Sequence, residues 1–87
     1  MKKTEFKSKL ISLGFILSPC VHEKENVLYK KALRIIFNKG DYENVVLASN
    51  PKLAKPIIID LRDIEDVFFN EQQTQLILKR YEYHFKL

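Results

Sequence analysis

The chain has little of what a metal site, a cofactor site or a membrane span requires. Cys20 is its single cysteine, so an intramolecular disulfide is excluded and a zinc site would lack a thiolate pair. The sequence contains two glycines and no phosphate-binding loop motif. No uninterrupted apolar run exceeds four residues, against the ~20 that a membrane-spanning helix needs. We therefore expect a cytoplasmic protein with no metal, no cofactor and no membrane contact.

The length and composition predict one small globular domain. The chain has 87 residues, of which 46% are hydrophobic and 30% are charged. This composition is close to that of ordinary folded proteins, whereas disordered chains have fewer apolar residues. We expect a single domain over residues 1–87.

The charge is divided unevenly along the sequence. Residues 1–39 carry nine Lys or Arg against three Glu, residues 40–75 carry three against seven Asp or Glu, and residues 76–87 carry three against one. No catalytic motif stands out above this division. We therefore expect a non-catalytic module that binds a macromolecule through charged surfaces.

The hydrophobic pattern predicts an α+β fold. Apolar residues spaced for a helix occur over residues 4–13 and end at Gly14, which would take a left-handed conformation, with Phe15 folding back onto the last turn. A period of two follows, which is typical of strands. The predicted strands cover residues 15–17, 29–37, 42–49, 57–59, 67–69 and 74–87. Residues 74–87 also fit the period of a helix, and their aromatic content favours a strand. We expect an N-terminal helix packed on an antiparallel meander sheet of about five strands, with 57–59 buried and with Asp60 capping a single helical turn.

Five carboxylates follow the predicted strand 57–59. They are Asp60, Asp63, Glu65, Asp66 and Glu71. They lack the alternating aspartates and glycine of a calcium loop. An acidic face of this kind is either simply solvated or docks on a basic groove of another protein, and the second interpretation makes these residues the candidate partner-binding site.

Basic residues are interleaved with aromatic residues in two predicted strands. Lysine and arginine would bind phosphates there while a tyrosine stacks on an unpaired base, which is how single-stranded nucleic acids are bound. The alternative is that the aromatic residues belong to the core. The candidate nucleic-acid-binding residues are Lys30, Arg34, Lys79, Arg80 and Tyr81.

The first part of the chain offers one candidate catalytic residue. A helix ending in Leu13, Gly14 and Phe15, then a short strand, a loop with His22 and a basic strand resembles the first half of the small mRNA-cleaving toxins of the HicA family. The resemblance implies His22 as the general base for attack by the ribose 2′-hydroxyl. In that family Gly-Ser typically precedes the histidine and a second helix follows, whereas here Cys20 and Val21 precede it and no second helix is evident.

Three hypotheses therefore remain, and we rank protein binding above nucleic-acid binding and RNA cleavage. Lys, Asn, Ile, Phe and Tyr make up 36 of the 87 residues, a bias expected of AT-rich coding sequences. This bias suggests an accessory protein of a phage or mobile element that blocks or modulates a host protein machine.

An exposed edge strand over residues 28–37 would also allow a homodimer.

Overall fold

A computed structural model describes residues 1–18, 27–37, 43–49, 55–80 and 83–87. Within these ranges the chain forms one α-helix and eight strands in two antiparallel sheets. The elements are α1 (Lys3–Ser12), β1 (Ile16–Leu17), β2 (Val27–Lys30), β3 (Leu33–Phe37), β4 (Asn44–Ser49), β5 (Ile57–Asp60), a 3-10 turn (Leu61–Asp63), β6 (Asp66–Phe69), β7 (Gln75–Lys79) and β8 (Tyr83–Lys86). The α+β prediction is confirmed, including the five-stranded meander in the order β1 to β5. The three-stranded sheet β6-β7-β8 was not predicted as a separate sheet.

Helix α1 ends as the sequence predicts. Gly14 has φ +94°, a value that residues with a Cβ rarely adopt. Its N–H donates to Ile11 O at 3.0 Å, and Phe15 N–H donates to Leu10 O at 3.0 Å. These two bonds form a Schellman motif, which turns the chain sharply and brings Phe15 into the core.

The strand predicted over residues 29–37 is two strands. Lys31 and Ala32 form a turn between β2 and β3, and Lys31 has φ +53°. The prediction of one continuous strand is therefore wrong. The sequence gives no sign of this turn, because the residue that adopts the left-handed conformation is a lysine and not a glycine or asparagine. The hairpin places β3 at the centre of the five-stranded sheet. Residues 28–37 thus do not form an edge, and the dimer predicted through them loses its basis.

Strand β5 lies at the edge of this sheet instead. Ile59 is buried, at 4% exposure, but Ile57 exposes 46% and Ile58 exposes 70%. The prediction that all three isoleucines are buried is wrong, since no strand among the described residues covers the far side of β5. The next prediction holds: Asp60 caps the 3-10 turn by accepting a hydrogen bond from Arg62 N–H at 2.9 Å.

The segment predicted as one strand over 74–87 is a hairpin of β7 and β8. Leu76 pairs with Phe85 and Leu78 pairs with Tyr83 across it. Leu76 and Leu78 are fully buried, whereas Ile77 between them faces outward and is half-buried. The alternation thus gives the three-stranded sheet one face in the core and one face toward solvent.

One hydrophobic cluster joins α1 and both sheets. The ring centroids of Phe6 in α1 and Phe37 in β3 are 6.0 Å apart, and those of Phe15 and of Phe69 in β6 are 6.4 Å apart. The first contact joins α1 to the five-stranded sheet, and the second joins Phe15, three residues beyond α1, to the three-stranded sheet. No helix in the described part of the chain is both long and apolar enough to cross a membrane.

Candidate binding surfaces

Four of the five candidate carboxylates lie in the segment that connects the two sheets. We call residues 60–66 the acidic connection; it holds four carboxylates and one cation, Arg62. The amino group of Met1 donates to Leu61 O at 2.7 Å and to Ile64 O at 2.8 Å, and Ile64 is buried. These contacts hold the backbone of the connection against the N-terminus, which gives its carboxylates a fixed support.

Asp60 is paired with Arg62 in the same connection. Arg62 Nη2 lies 2.6 Å from Asp60 Oδ2, and Arg62 Nε lies 3.0 Å from Asp60 Oδ1. The guanidinium hydrogen bonds lower the pKa of Asp60 to about 2. Arg62 Nε also lies 3.6 Å from Glu43 Oε2. The negative charge of Asp60 is therefore largely compensated within the molecule.

Asp66 forms an ion pair with Lys9 of α1. Lys9 Nζ donates to Asp66 Oδ1 at 3.0 Å, and Val67 N–H donates to the same oxygen at 2.8 Å. The Lys9 ammonium, followed by the backbone donor, lowers the pKa of Asp66 below its ordinary value. Both side chains remain about half exposed, so this ion pair contributes little to stability.

The remaining candidate carboxylates do not form one face. Asp63 is half-buried and Glu65 is exposed, both within the acidic connection. Glu71 is exposed in the turn beyond Phe69, at the other end of β6, which is about 10 Å long. Asp60, Asp63, Glu65 and Asp66 therefore lie within one seven-residue segment, and Glu71 lies outside it, beyond β6.

The candidate basic residues are also divided. Lys30 shares a sheet face with buried Leu33, its cross-strand partner, and its Nζ lies 5.7 Å from the centroid of the Phe69 ring. Arg34 pairs with Tyr29 and Ala48 on the opposite face of the same sheet. A nucleic acid could not contact Lys30 and Arg34 together on one sheet face.

The other basic candidates belong to the three-stranded sheet. Lys79 ends β7 opposite Asp66, and Arg80 follows in the exposed turn. Tyr81 lies outside the described residues. Lys79 and Arg80 are therefore the two candidate cations that the structure places together.

Sequence reasoning missed an apolar surface on the five-stranded sheet. Cross-strand pairing aligns four residues in one row on the face away from the core. This apolar row is Val27, Ile36, Val46 and Ile58. Val27 is buried, Ile36 and Val46 are half-buried, and exposure is greatest at the β5 end. Three consecutive isoleucines indicated a buried strand, and only the edge position of β5 shows that Ile58 faces solvent.

The edge of β5 also presents backbone hydrogen-bonding groups. Leu61 N–H donates to Glu43 O at 2.6 Å, which continues the register between β4 and β5. Because bonded pairs alternate along an antiparallel ladder, the peptide groups of Ile57 and Ile59 face β4. The N–H and C=O of Ile58 therefore point away from the sheet, at the residue whose side chain is most exposed.

The catalytic hypothesis gains no residues from the structure. Cys20 and His22 lie outside the described residues, so the predicted ribonuclease site stays a prediction. Among the side chains that are described, no group of three or more His, Cys, Asp or Glu residues is placed to hold a metal ion. Comparison with protein-family models, curated proteins and solved structures gives no match.

Proposed function

We propose that this chain is a non-catalytic protein-binding module whose partner adds a strand along β5. The observation that carries the proposal is Ile58, which exposes 70% of its surface on an edge strand. In strand addition, backbone hydrogen bonds supply affinity and the alternate side chains supply specificity. The outward N–H and C=O of Ile58 would provide the backbone hydrogen bonds. The side chains of the apolar row would provide the specificity.

The acidic connection supports a partner with basic residues next to its added strand. It begins at Asp60, the last residue of β5, so Asp63 and Glu65 follow the edge strand within five residues. Partly exposed charges at the border of an interface chiefly guide association and select partners. The proposed partner segment is therefore extended and apolar, with lysine or arginine at one end.

The form of β5 restricts what can pair with it. The strand has four residues and follows Pro56, which has no N–H to donate. Short edges that begin with proline resist indiscriminate pairing. A partner must therefore match the apolar row and the acidic connection as well as the backbone, which makes the surface selective.

The biological setting is a separate proposal with narrower support. The AT-rich residue bias is what favours an accessory protein of a phage or mobile element that blocks or modulates a host protein machine. Capture from the native host followed by mass spectrometry would identify the partner. The affinity of that partner for the purified chain and its variants then tests the proposed β5 surface.

The binding test compares Ile58→Lys with wild type by calorimetric titration. We expect affinity to fall about 10-fold to 100-fold, because burying an isoleucine side chain contributes about 1.5–3 kcal/mol. Neutralising Asp63, Glu65 and Asp66 as amides should slow association. Glu71→Gln is the matched control, since Glu71 lies at the other end of β6. Far-UV circular dichroism and a melting curve show that each variant is folded.

The proposal is overturned if Ile58→Lys and the triple amide variant both bind the partner as wild type does. It is also overturned if Glu71→Gln weakens binding as much as the triple variant, because general charge attraction would then explain the effect. The ribonuclease alternative is tested separately. Cleavage of RNA by the wild-type chain that His22→Ala abolishes without unfolding would establish it, and its absence would end it.

A further inference from the structure

The apolar run of β5 is its own complement in an antiparallel pair. Ile57, Ile58 and Ile59 read the same in both directions, and the middle residue is the one whose N–H and C=O point away from the sheet. When two copies of the strand pair with Ile58 opposite Ile58, Ile57 of each copy lies opposite Ile59 of the other. Every isoleucine of the run then meets an isoleucine.

The neighbouring registers lack this match. Only alternate residues of β5 direct their N–H and C=O outward, so a second β5 strand can shift only in steps that keep outward groups facing one another. One such step places Ile58 opposite Pro56, which has no N–H to donate, or opposite Asp60, whose carboxylate is already bonded to Arg62. Ile57 and Ile58 expose 46% and 70% of their surfaces. The register centred on Ile58 is the one that places both against isoleucine.

The residues that flank β5 are complementary as well. Exposed Lys55 precedes Pro56 at one end of the strand, and the acidic connection begins with Asp60 at the other. Antiparallel pairing brings opposite ends together, so Lys55 of each copy lies beside the start of the acidic connection of the other copy, where Asp63 is the next carboxylate. An extended apolar segment with a lysine at one end is also the kind of segment that the proposed β5 surface requires.

We propose that two copies of this chain pair through β5 across a two-fold axis at Ile58. This inference rests on the proposed use of β5 as an edge for strand addition, and it names a second copy as the occupant of that edge when the protein partner is absent. At the axis each Ile58 N–H donates to the Ile58 C=O of the other copy, and Asp60 N–H of each copy donates to the Pro56 C=O of the other. The two apolar rows then meet at Ile58 in one continuous sheet. A two-fold contact of this kind closes on itself, so assembly stops at a dimer.

The length of β5 makes this dimer weak and therefore reversible. The strand has four residues, and an edge contact of that length lies below the ~1,200 Å² that stable interfaces bury. Because the second copy and the protein partner need the same outward groups of Ile58, they exclude each other. Self-association thus covers the exposed isoleucines until the partner displaces the second copy.

The test is sedimentation velocity of the full chain between about 10 μM and about 1 mM, the range in which a contact of this size should associate. We expect the wild type to change from monomer to dimer across it. Ile58→Lys places two lysines against each other at the axis and should weaken dimerisation at least about 100-fold, since the substitution acts on both copies. Ile11→Lys is the matched control and should dimerise as wild type does, because Ile11 is also an exposed isoleucine, at 58%, but lies in α1.

Hydrogen exchange provides a second measurement that needs no variant. The Ile58 N–H points away from the sheet in the monomer and is hydrogen-bonded in the dimer, so its exchange should slow as the protein concentration rises. The Ile59 N–H faces β4 and should be protected at both ends of the concentration range.

Three results would each overturn the inference: a wild type that stays monomeric at about 1 mM, equal dimerisation of Ile58→Lys and Ile11→Lys, or an Ile58 N–H whose exchange does not depend on concentration. A monomeric wild type that loses its protein partner on Ile58→Lys leaves the proposed function standing. Dimerisation that requires Ile58, together with partner binding that does not, supports the dimer and overturns the proposed function. The two proposals can therefore fail separately.

Discussion

Replacing Gly14 with alanine tests how the helix is joined to the sheets. At φ +94° a residue with a Cβ is strained, and the left-handed conformation costs it about 1–2 kcal/mol. The new Cβ would also lie 2.9 Å from Lys30 Nζ, so the ammonium must move. That ammonium lies 5.7 Å from the Phe69 ring, a contact that contributes about 0.5–1 kcal/mol at exposed sites. We expect a total loss of about 2 kcal/mol in the free energy of unfolding.

Urea unfolding followed by circular dichroism measures this loss directly. With a slope of about 1–2 kcal/mol per molar urea for a small domain, the midpoint should fall by about 1–2 M. Gly14→Asn is the matched variant, because asparagine tolerates positive φ better and should cost less. Repeating Gly14→Ala in a Lys30→Met background removes the ammonium and should recover part of the loss. A loss below about 0.5 kcal/mol for Gly14→Ala would refute the reasoning.

Three further predictions concern the acidic connection and the three-stranded sheet. The folded-state pKa of Asp60 is about 2 and that of Asp66 lies below its ordinary value of 3.8, so both carboxylates stabilise the fold above pH 4 and lose this effect as the pH falls toward 2. The urea midpoint should therefore drop over that interval, and less so in Asp60→Asn. Leu78→Ala should cost about 2–5 kcal/mol in urea unfolding because Leu78 is fully buried, whereas outward-facing Ile77→Ala on the same strand should cost less than half as much. Asn70 Oδ1 accepts hydrogen bonds from Thr74 N–H at 2.8 Å and Gln75 N–H at 2.9 Å, so Asn70→Ala should lower the melting temperature and Asn70→Asp, which keeps the acceptor, should lower it less.

Local signals in the sequence predict the parts of the fold that depend on near neighbours. Gly14 marks the end of α1 because a left-handed residue is needed there, and Asp60 marks the 3-10 turn because its carboxylate reaches Arg62 N–H two residues later. The turn at Lys31 and Ala32 has no such signal. The sequence continues to alternate through it, so the position of β3 in the sheet could not be predicted.

The binding surfaces were harder to predict because they depend on pairing between distant residues. Lys9 and Asp66 are 57 residues apart and form an ion pair that compensates one candidate carboxylate. Lys30 and Arg34 are close in sequence, yet the hairpin between them turns their side chains to opposite faces. Asp60, Asp63, Glu65 and Asp66 lie within seven consecutive residues, whereas the four-residue strand β6 separates Glu71 from them.

Residues of like charge that are neighbours in the sequence form one charged surface only where strand pairing places their side chains on the same face. Among the described basic residues of the block 1–39, Lys3, Lys7 and Lys9 lie in α1, Lys30 lies in β2 and Arg34 lies in β3. Antiparallel pairing directs alternate side chains of the strands to opposite faces. What pairing does create is an outward apolar row on the five-stranded sheet, which ends at Ile58. An antiparallel sheet with one solvated face normally carries polar residues there. An exposed apolar side chain such as Ile58 contributes less to the core than to contacts with another molecule, which is why the proposed protein-binding surface rests on this row and uses charge only to choose the partner.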